Sequence, residues 1–75
     1  LINLEILYLN GNQIAIIPIE IGALLNLKEL HLNANQIMII PTQIGNLFNL
    51  KILDLSGNKI TNMLYDIFKL SLLEE

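Results

Sequence analysis

Leucines and polar residues follow one another in the same order three times along the chain. The stretches are LEILYLNGN at residues 4–12, LKELHLNAN at residues 27–35 and LKILDLSGN at residues 50–58, each starting 23 residues after the last. The leucines at the fourth and sixth places flank a variable residue, which is the period-two pattern of a short strand. A fixed period of this length indicates stacked supersecondary units, so we expect the strands to pair side by side in a parallel sheet.

An apolar return segment follows each strand, with the sequence IAIIPIEIGALLN in the first repeat and IMIIPTQIGNLFN in the second. Pro18 and Pro41 fix φ and suit the first position of a short helical turn. Ile21 and Leu24 are three residues apart and therefore face one side of that turn. Gly22 allows either close packing or a positive φ. We predict one helical or 3-10 turn per repeat instead of a long helix.

The spacing L-x-x-L-x-L-x-x-N is the signature of the leucine-rich repeat, and the chain resembles that family over its whole length. Ile17-Pro18, Ile21-Gly22 and Leu24 recur 23 residues later. They resemble a repeat class found in bacterial surface or secreted proteins and in cytoplasmic Ras-suppressor-like scaffolds. The resemblance implies an α/β fold, a right-handed leucine-rich repeat solenoid. Its parallel β-sheet would form the concave face and its short helical or 3-10 turns the convex face.

The repeats make the whole chain, residues 1–75, one leucine-rich repeat segment. Neither end carries the polar capping unit that solenoids need for solubility, so we interpret the chain as a fragment of a longer array. The predicted parts are residues 1–3, the end of a preceding repeat; residues 4–26, 27–49 and 50–72, repeats one to three; and residues 73–75, the start of a fourth.

The third return segment departs from the first two. Leu64 stands in place of the proline and Phe68 in place of the glycine, while Leu72 occupies an asparagine position. Without proline and glycine the segment can form a longer helix, for which Asn62 is an N-cap candidate.

Composition excludes several classes of function. The net charge is −3 with only four basic residues, and such a chain lacks the basic surface that nucleic-acid binding requires. There is no cysteine, and one histidine with scattered carboxylates does not form a metal-ligand set. No apolar run reaches the roughly 18 residues of a membrane span. We predict no cofactor, and the abundance of Ile and Asn favours a bacterial secreted or surface protein over a cytoplasmic one.

The outward positions of the strands are the candidate binding surface, because solenoids offer their concave face to partners. Tyrosine is a frequent interface anchor, and the core does not need the isoleucines at these positions. The alternative is that they are ordinary solvated strand residues. The return segments, by contrast, are expected to direct their apolar residues inward. The predicted partner-binding residues are Ile6, Tyr8, Glu29, His31, Ile52 and Asp54.

An asparagine ends each leucine-rich stretch, at Asn12, Asn35 and Asn58. A side-chain amide both donates and accepts, so a stack of them can satisfy backbone groups that the bend would otherwise bury unpaired. We predict that these three residues form a structural ladder.

His31, Asp54 and Ser56 suggest a hydrolytic triad, but a shallow curved sheet offers no pocket or oxyanion site. The plainer interpretation is that Asp54 stabilises a charged His31. We therefore predict a protein-binding module, not an enzyme, acting as a scaffold or in host interaction with a partner of unknown identity. The alternative is a structural or regulatory spacer attached to a catalytic domain outside this chain. Exposed apolar ends also predict end-to-end self-association.

Overall fold

The structure, a computed structural model, describes residues 3–61. Strands β1 (Ile6–Tyr8), β2 (Glu29–His31) and β3 (Ile52–Asp54) form one parallel sheet in the order β1-β2-β3. Equivalent residues pair directly, so that Leu30 lies between Leu7 and Leu53. The predicted parallel sheet is therefore confirmed, and its register advances by the same 23 residues as the sequence repeat.

Short 3-10 helices at Ile19–Ala23 and Thr42–Asn46 lie between the strands, as predicted. The position predicted for the prolines is wrong by one residue. Pro18 (φ −68°, ψ 150°) and Pro41 (φ −70°, ψ 149°) are extended N-cap residues just before each helix. The reason is that the carbonyl of Pro18 accepts the first hydrogen bond, from the N–H of Ile21 at 3.1 Å, which places the proline outside the helix.

The core lies between the sheet and the return segments and receives side chains from both. Leu30 and Leu32, which flank the outward His31, are both buried. Burying an aliphatic side chain of this size contributes about 1.5–3 kcal/mol relative to leaving it exposed. The fully buried residues are Leu27, Leu30, Leu32, Ile37, Ile40, Ile44, Leu47 and Leu50.

Gly22 packs closely against the next repeat, which decides between its two predicted uses. A Cβ at this position would lie 3.0 Å from both the Cβ and the carbonyl oxygen of Gln43. Positive φ occurs instead in the turns after the strands, at equivalent positions of the three repeats. These are Gly11 (φ 72°), Ala34 (φ 58°) and Gly57 (φ 69°).

The predictions for Asn62, Leu64, Phe68 and Leu72 lie outside the described residues, as do the repeat boundaries beyond residue 61. Within residues 3–61, neither helix is long and apolar enough to cross a membrane.

Candidate partner-binding face

The parallel register places the predicted binding residues in two rows across the sheet. We call these six outward positions the sheet face. Neighbours within a row belong to adjacent strands, so each row is a continuous line of side chains. One row is Tyr8, His31 and Asp54, and the row before it is Ile6, Glu29 and Ile52.

Tyr8 and His31 form a stacked ring pair at the centre of this face. Their ring centroids are 4.5 Å apart and the ring planes are inclined by 18°. The tyrosine remains 64% exposed, whereas the histidine is half-buried beside it. Because each ring restricts the other, the pair offers a preorganised aromatic surface at low entropic cost to an incoming group.

Charged groups lie on both sides of the histidine. Its Nε2 is 3.0 Å from Oε1 of Glu29, two residues earlier in the same strand. On the other side, Oδ1 of Asp54 accepts hydrogen bonds from the Ser56 hydroxyl at 2.7 Å and from the Ser56 backbone N–H at 3.1 Å. The prediction that Asp54 is the carboxylate partner of His31 is therefore corrected. Glu29 makes the direct contact.

The pKa of Asp54 is lowered below its ordinary value. The largest cause is the hydrogen bond from the Ser56 hydroxyl, followed by the one from its backbone N–H, and the charge of His31 contributes least. Both bonds favour the ionised carboxylate. Asp54 is therefore negatively charged at neutral pH.

The hydrolytic triad considered from the sequence is not assembled. A serine nucleophile needs a hydrogen bond to the histidine that takes its proton. The hydroxyl of Ser56 instead donates to Asp54, and the ring nitrogen of His31 lies against Glu29. The three side chains are on one face, but the proton path of a triad is missing.

The two isoleucines of the sheet face are accessible. Ile6 is 44% exposed and Ile52 is half-buried, and neither belongs to the buried core cluster. An ion pair between Lys28 and Glu5, at 3.5 Å, lies at the start of the strands with both side chains largely exposed. Solvent screens such a pair, so it contributes little to stability.

Asn35 connects two successive turns beneath the sheet face. It is only 7% exposed, and its Nδ2 lies within hydrogen-bonding distance of the carbonyls of Leu9 (3.0 Å), Leu32 (2.9 Å) and Asn33 (3.3 Å). Its Oδ1 accepts the backbone N–H of Ile14 at 3.0 Å. The side chain thus closes its own turn and also binds the preceding one.

The other two asparagines take equivalent positions with different completeness. Asn58 donates to the carbonyls of Leu32, Leu55 and Ser56 and accepts the N–H of Ile37. Asn12 donates to Leu9 and Asn10 of its own turn and is exposed.

The return segments expose apolar side chains that sequence reasoning assigned to the interior. Ile17 and Ile21 are buried and Leu24 is half-buried, but the residues between them are not. The lack of any charged residue from Asn33 to Leu50 is the signal that could have revealed this surface. The exposed residues are Ile16, Ile19, Leu25, Met38, Ile39 and Phe48.

Part of this surface is a shallow cleft of about 420 Å³. Ile16 (79% exposed) and Ile39 (64% exposed) line it together with Met38 and Pro41. We call these four residues the return-side patch. It competes with the sheet face as an interaction surface, because exposed apolar patches often mark binding sites.

Within residues 3–61, no group of three histidine or acidic side chains is arranged to hold a metal ion.

Two family models match the sequence. The model of two consecutive leucine-rich repeats matches residues 2–48, and the single-repeat model matches residues 49–70. The chain belongs to the leucine-rich repeat family. Leucine-rich repeats generally mediate protein–protein interactions, and proteins of this family are typically non-catalytic interaction modules.

A solved structure is similar to this leucine-rich repeat chain. It is that of a leucine-rich repeat protein from Leptospira interrogans, with 41% sequence identity and a TM-score of 0.89. The match covers 93% of this chain but only 18% of that protein. Among curated proteins, none matches this leucine-rich repeat chain.

Proposed function

We propose that this chain is a protein-binding segment of a longer leucine-rich repeat array and that it holds its partner on the sheet face. The observation that carries the proposal is the exposed Tyr8 ring stacked on His31. Tyrosine is enriched among the few residues that dominate binding energy, and truncating such an anchor costs about 2 kcal/mol or more.

The surroundings of the ring pair favour a protein partner over a small ligand. Small-molecule sites are concave pockets that enclose most of the ligand, whereas this aromatic pair stands on an open strand surface. Ile6 lies in the adjacent row and the charged Asp54 completes the row of the rings. An exposed aromatic flanked by aliphatic and charged groups matches the composition of a protein–protein interface.

The longer array is supported by the size of the similar protein, of which this chain matches less than a fifth. Solenoids bind partners along an extended surface built from many repeats. The sheet face of three strands would then be one section of a longer binding surface.

The test compares two double variants of the chain. Tyr8→Ala with His31→Ala removes the ring pair, and both side chains lie outside the core, so the fold should be retained. Ile16→Ser with Ile39→Ser, in the return-side patch, is the matched control. Each chain is immobilised and exposed to native extract, and the affinity of the captured protein is then measured by titration calorimetry.

The proposal expects the Tyr8–His31 variant to lose the partner at least about 30-fold in affinity, corresponding to about 2 kcal/mol. The Ile16–Ile39 variant should bind within about twofold of the original chain. If the Ile16–Ile39 variant loses the partner and the Tyr8–His31 variant keeps it, the binding site is the return-side patch and the proposal is wrong.

A further inference from the structure

The two outer strands of the sheet leave backbone groups without hydrogen-bond partners in the part of the chain that the structure describes. On β1 these are the N–H groups of Glu5 and Ile6 and the carbonyl of Tyr8. On β3 they are the carbonyl of Lys51 and the N–H of Leu55. Unpaired strand edges are templates for pairing with another chain.

The first pair of free groups is complementary by register. Inside the sheet, the N–H groups of Lys51 and Ile52 both donate to the carbonyl of Lys28, at 2.8 and 3.1 Å. One repeat further along, the carbonyl of Lys51 takes the role of the Lys28 carbonyl. The groups that fit it are the N–H groups of Glu5 and Ile6 in a second copy of the chain.

The next strand position gives the reverse bond. Inside the sheet the N–H of Leu32 donates to the carbonyl of Asp54 at 2.9 Å. The equivalent donor on the free edge of β3 is the N–H of Leu55. Its acceptor is the carbonyl of Tyr8 in the second copy, so the two edges match in both directions.

The asparagine ladder would continue across the same junction. Asn58 accepts the N–H of Ile37 through its Oδ1 at 2.9 Å. The Oδ1 of Asn12 accepts no such bond within residues 3–61, and the register places the N–H of Ile60 from a second copy opposite it. The exposed Asn12 would then be enclosed as Asn35 is.

Side chains at the junction are complementary as well. Lys28 pairs with Glu5 within the chain, whereas Lys51 forms no ion pair within the described residues. The register brings Lys51 beside Glu5 of the second copy and sets the half-buried Ile52 beside its Ile6. Beneath β1, an apolar cleft of about 330 Å³ awaits cover, and its lining includes Leu7, Leu9, Ile14, Ile21 and Leu24.

We propose that a second copy of this chain docks head to tail, with its β1 edge on the β3 edge of the first. Such a contact joins two different surfaces and does not close on itself, so it generates an open row of molecules. In a longer array the neighbouring repeats would fill these edges. The proposal therefore concerns the 75-residue chain and is independent of the partner on the sheet face.

Sedimentation equilibrium of the whole chain over a wide concentration range tests the proposal. Weight-average mass should rise continuously past the dimer as concentration increases. Ile6→Pro removes an edge N–H that has no internal partner, as proline is tolerated on edge strands, and it should raise the dissociation constant at least about tenfold. Lys51→Glu, which places like charges together at the junction, is a second variant that leaves the backbone unchanged and should also weaken association.

A mixing experiment distinguishes head-to-tail docking from a symmetric contact. Ile6→Pro blocks the β1 edge and Leu55→Pro blocks the β3 edge, so each variant alone should be monomeric. Mixed in equal amounts they should form a dimer and stop there, because one open edge remains on each. Circular dichroism of each variant verifies that it is folded before mixing.

Three results would overturn the proposal. One is a mass that stays monomeric at every concentration. A second is full association by Leu55→Pro alone, which would indicate a symmetric contact between two β1 edges. The third is loss of association in Ile39→Ser with Phe48→Ser, since those exposed side chains belong to the return segments and not to the strand edges.

Discussion

Replacing Asn35 by leucine should destabilise the fold although it adds apolar volume to a buried position. The side chain is 7% exposed and its amide serves two consecutive turns. Leucine has neither a donor nor an acceptor, so each of these backbone groups must find another partner or remain unpaired.

The structure identifies which group loses most. The carbonyl of Leu32 keeps a second amide donor, Nδ2 of Asn58 at 2.9 Å, and the carbonyl of Leu9 keeps Nδ2 of Asn12 at the same distance. The N–H of Ile14 has no such reserve, since no other acceptor within residues 3–61 is in hydrogen-bonding distance of it. One buried donor left unpaired costs about 1–3 kcal/mol, and that is the expected loss.

Urea denaturation followed by circular dichroism measures this loss at a concentration where the chain is monomeric. With a slope of about 1 kcal/mol per molar urea for so small a domain, the midpoint should fall by roughly 1–3 M. Asn12→Leu is the matched control. Its bonds are exposed, so the change should stay within about 0.5 kcal/mol. Equal midpoints for the two variants would refute the idea that the ladder stabilises through the bond to the preceding turn.

Three further changes test other parts of the fold and the candidate site. Gly22→Ala should destabilise by about 1–3 kcal/mol, because the added Cβ would lie 3.0 Å from the carbonyl oxygen of Gln43, and thermal unfolding measures it. Ala34→Gly should stabilise by about 0.5–1 kcal/mol in urea, since relief of the left-handed backbone (φ 58°) exceeds the entropic cost of glycine, and a loss of stability would contradict this. Ser56→Ala should raise the pKa of Asp54 towards its ordinary value, which an NMR titration of the carboxyl group reports. Because the folded pKa is the lower one, any stability from this bond is present above the unfolded pKa and is lost as pH falls through the folded pKa, so variant and original should converge in acid.

The strands and the turns between them could be predicted because periodicity specifies them redundantly. Each leucine position recurs at the same spacing, and Leu30 is buried at the centre of the sheet for the reason that the pattern gives. The direction of the asparagine bonds was beyond the pattern. A sequence motif shows that Asn35 can bond to a turn, but only the stacking of two turns determines that its Oδ1 reaches Ile14 in the repeat before.

The partner of His31 could not be derived from register alone. Row neighbours are the nearest backbone positions, which favours Asp54, but side-chain length decides the contact. Glu29 is one methylene longer and reaches Nε2, whereas the shorter Asp54 carboxylate is held by Ser56 two residues further on. The exposure of Ile16 beside the buried Ile17 failed for a related reason, since composition does not distinguish adjacent isoleucines on opposite sides of an extended segment.

The uniform register also determines how such a gene can change in length. Every contact between repeats joins positions that are 23 residues apart, from the strand pairs to the amide of Asn49 on the carbonyl of Leu25, one residue further. An in-frame duplication or deletion of one whole unit therefore leaves each surviving residue opposite an equivalent neighbour. A single-residue insertion within a strand would instead rotate the leucines that follow it out of the core. Unequal recombination between repeats can thus lengthen or shorten the array in whole units, and each such step adds or removes one strand of sheet face.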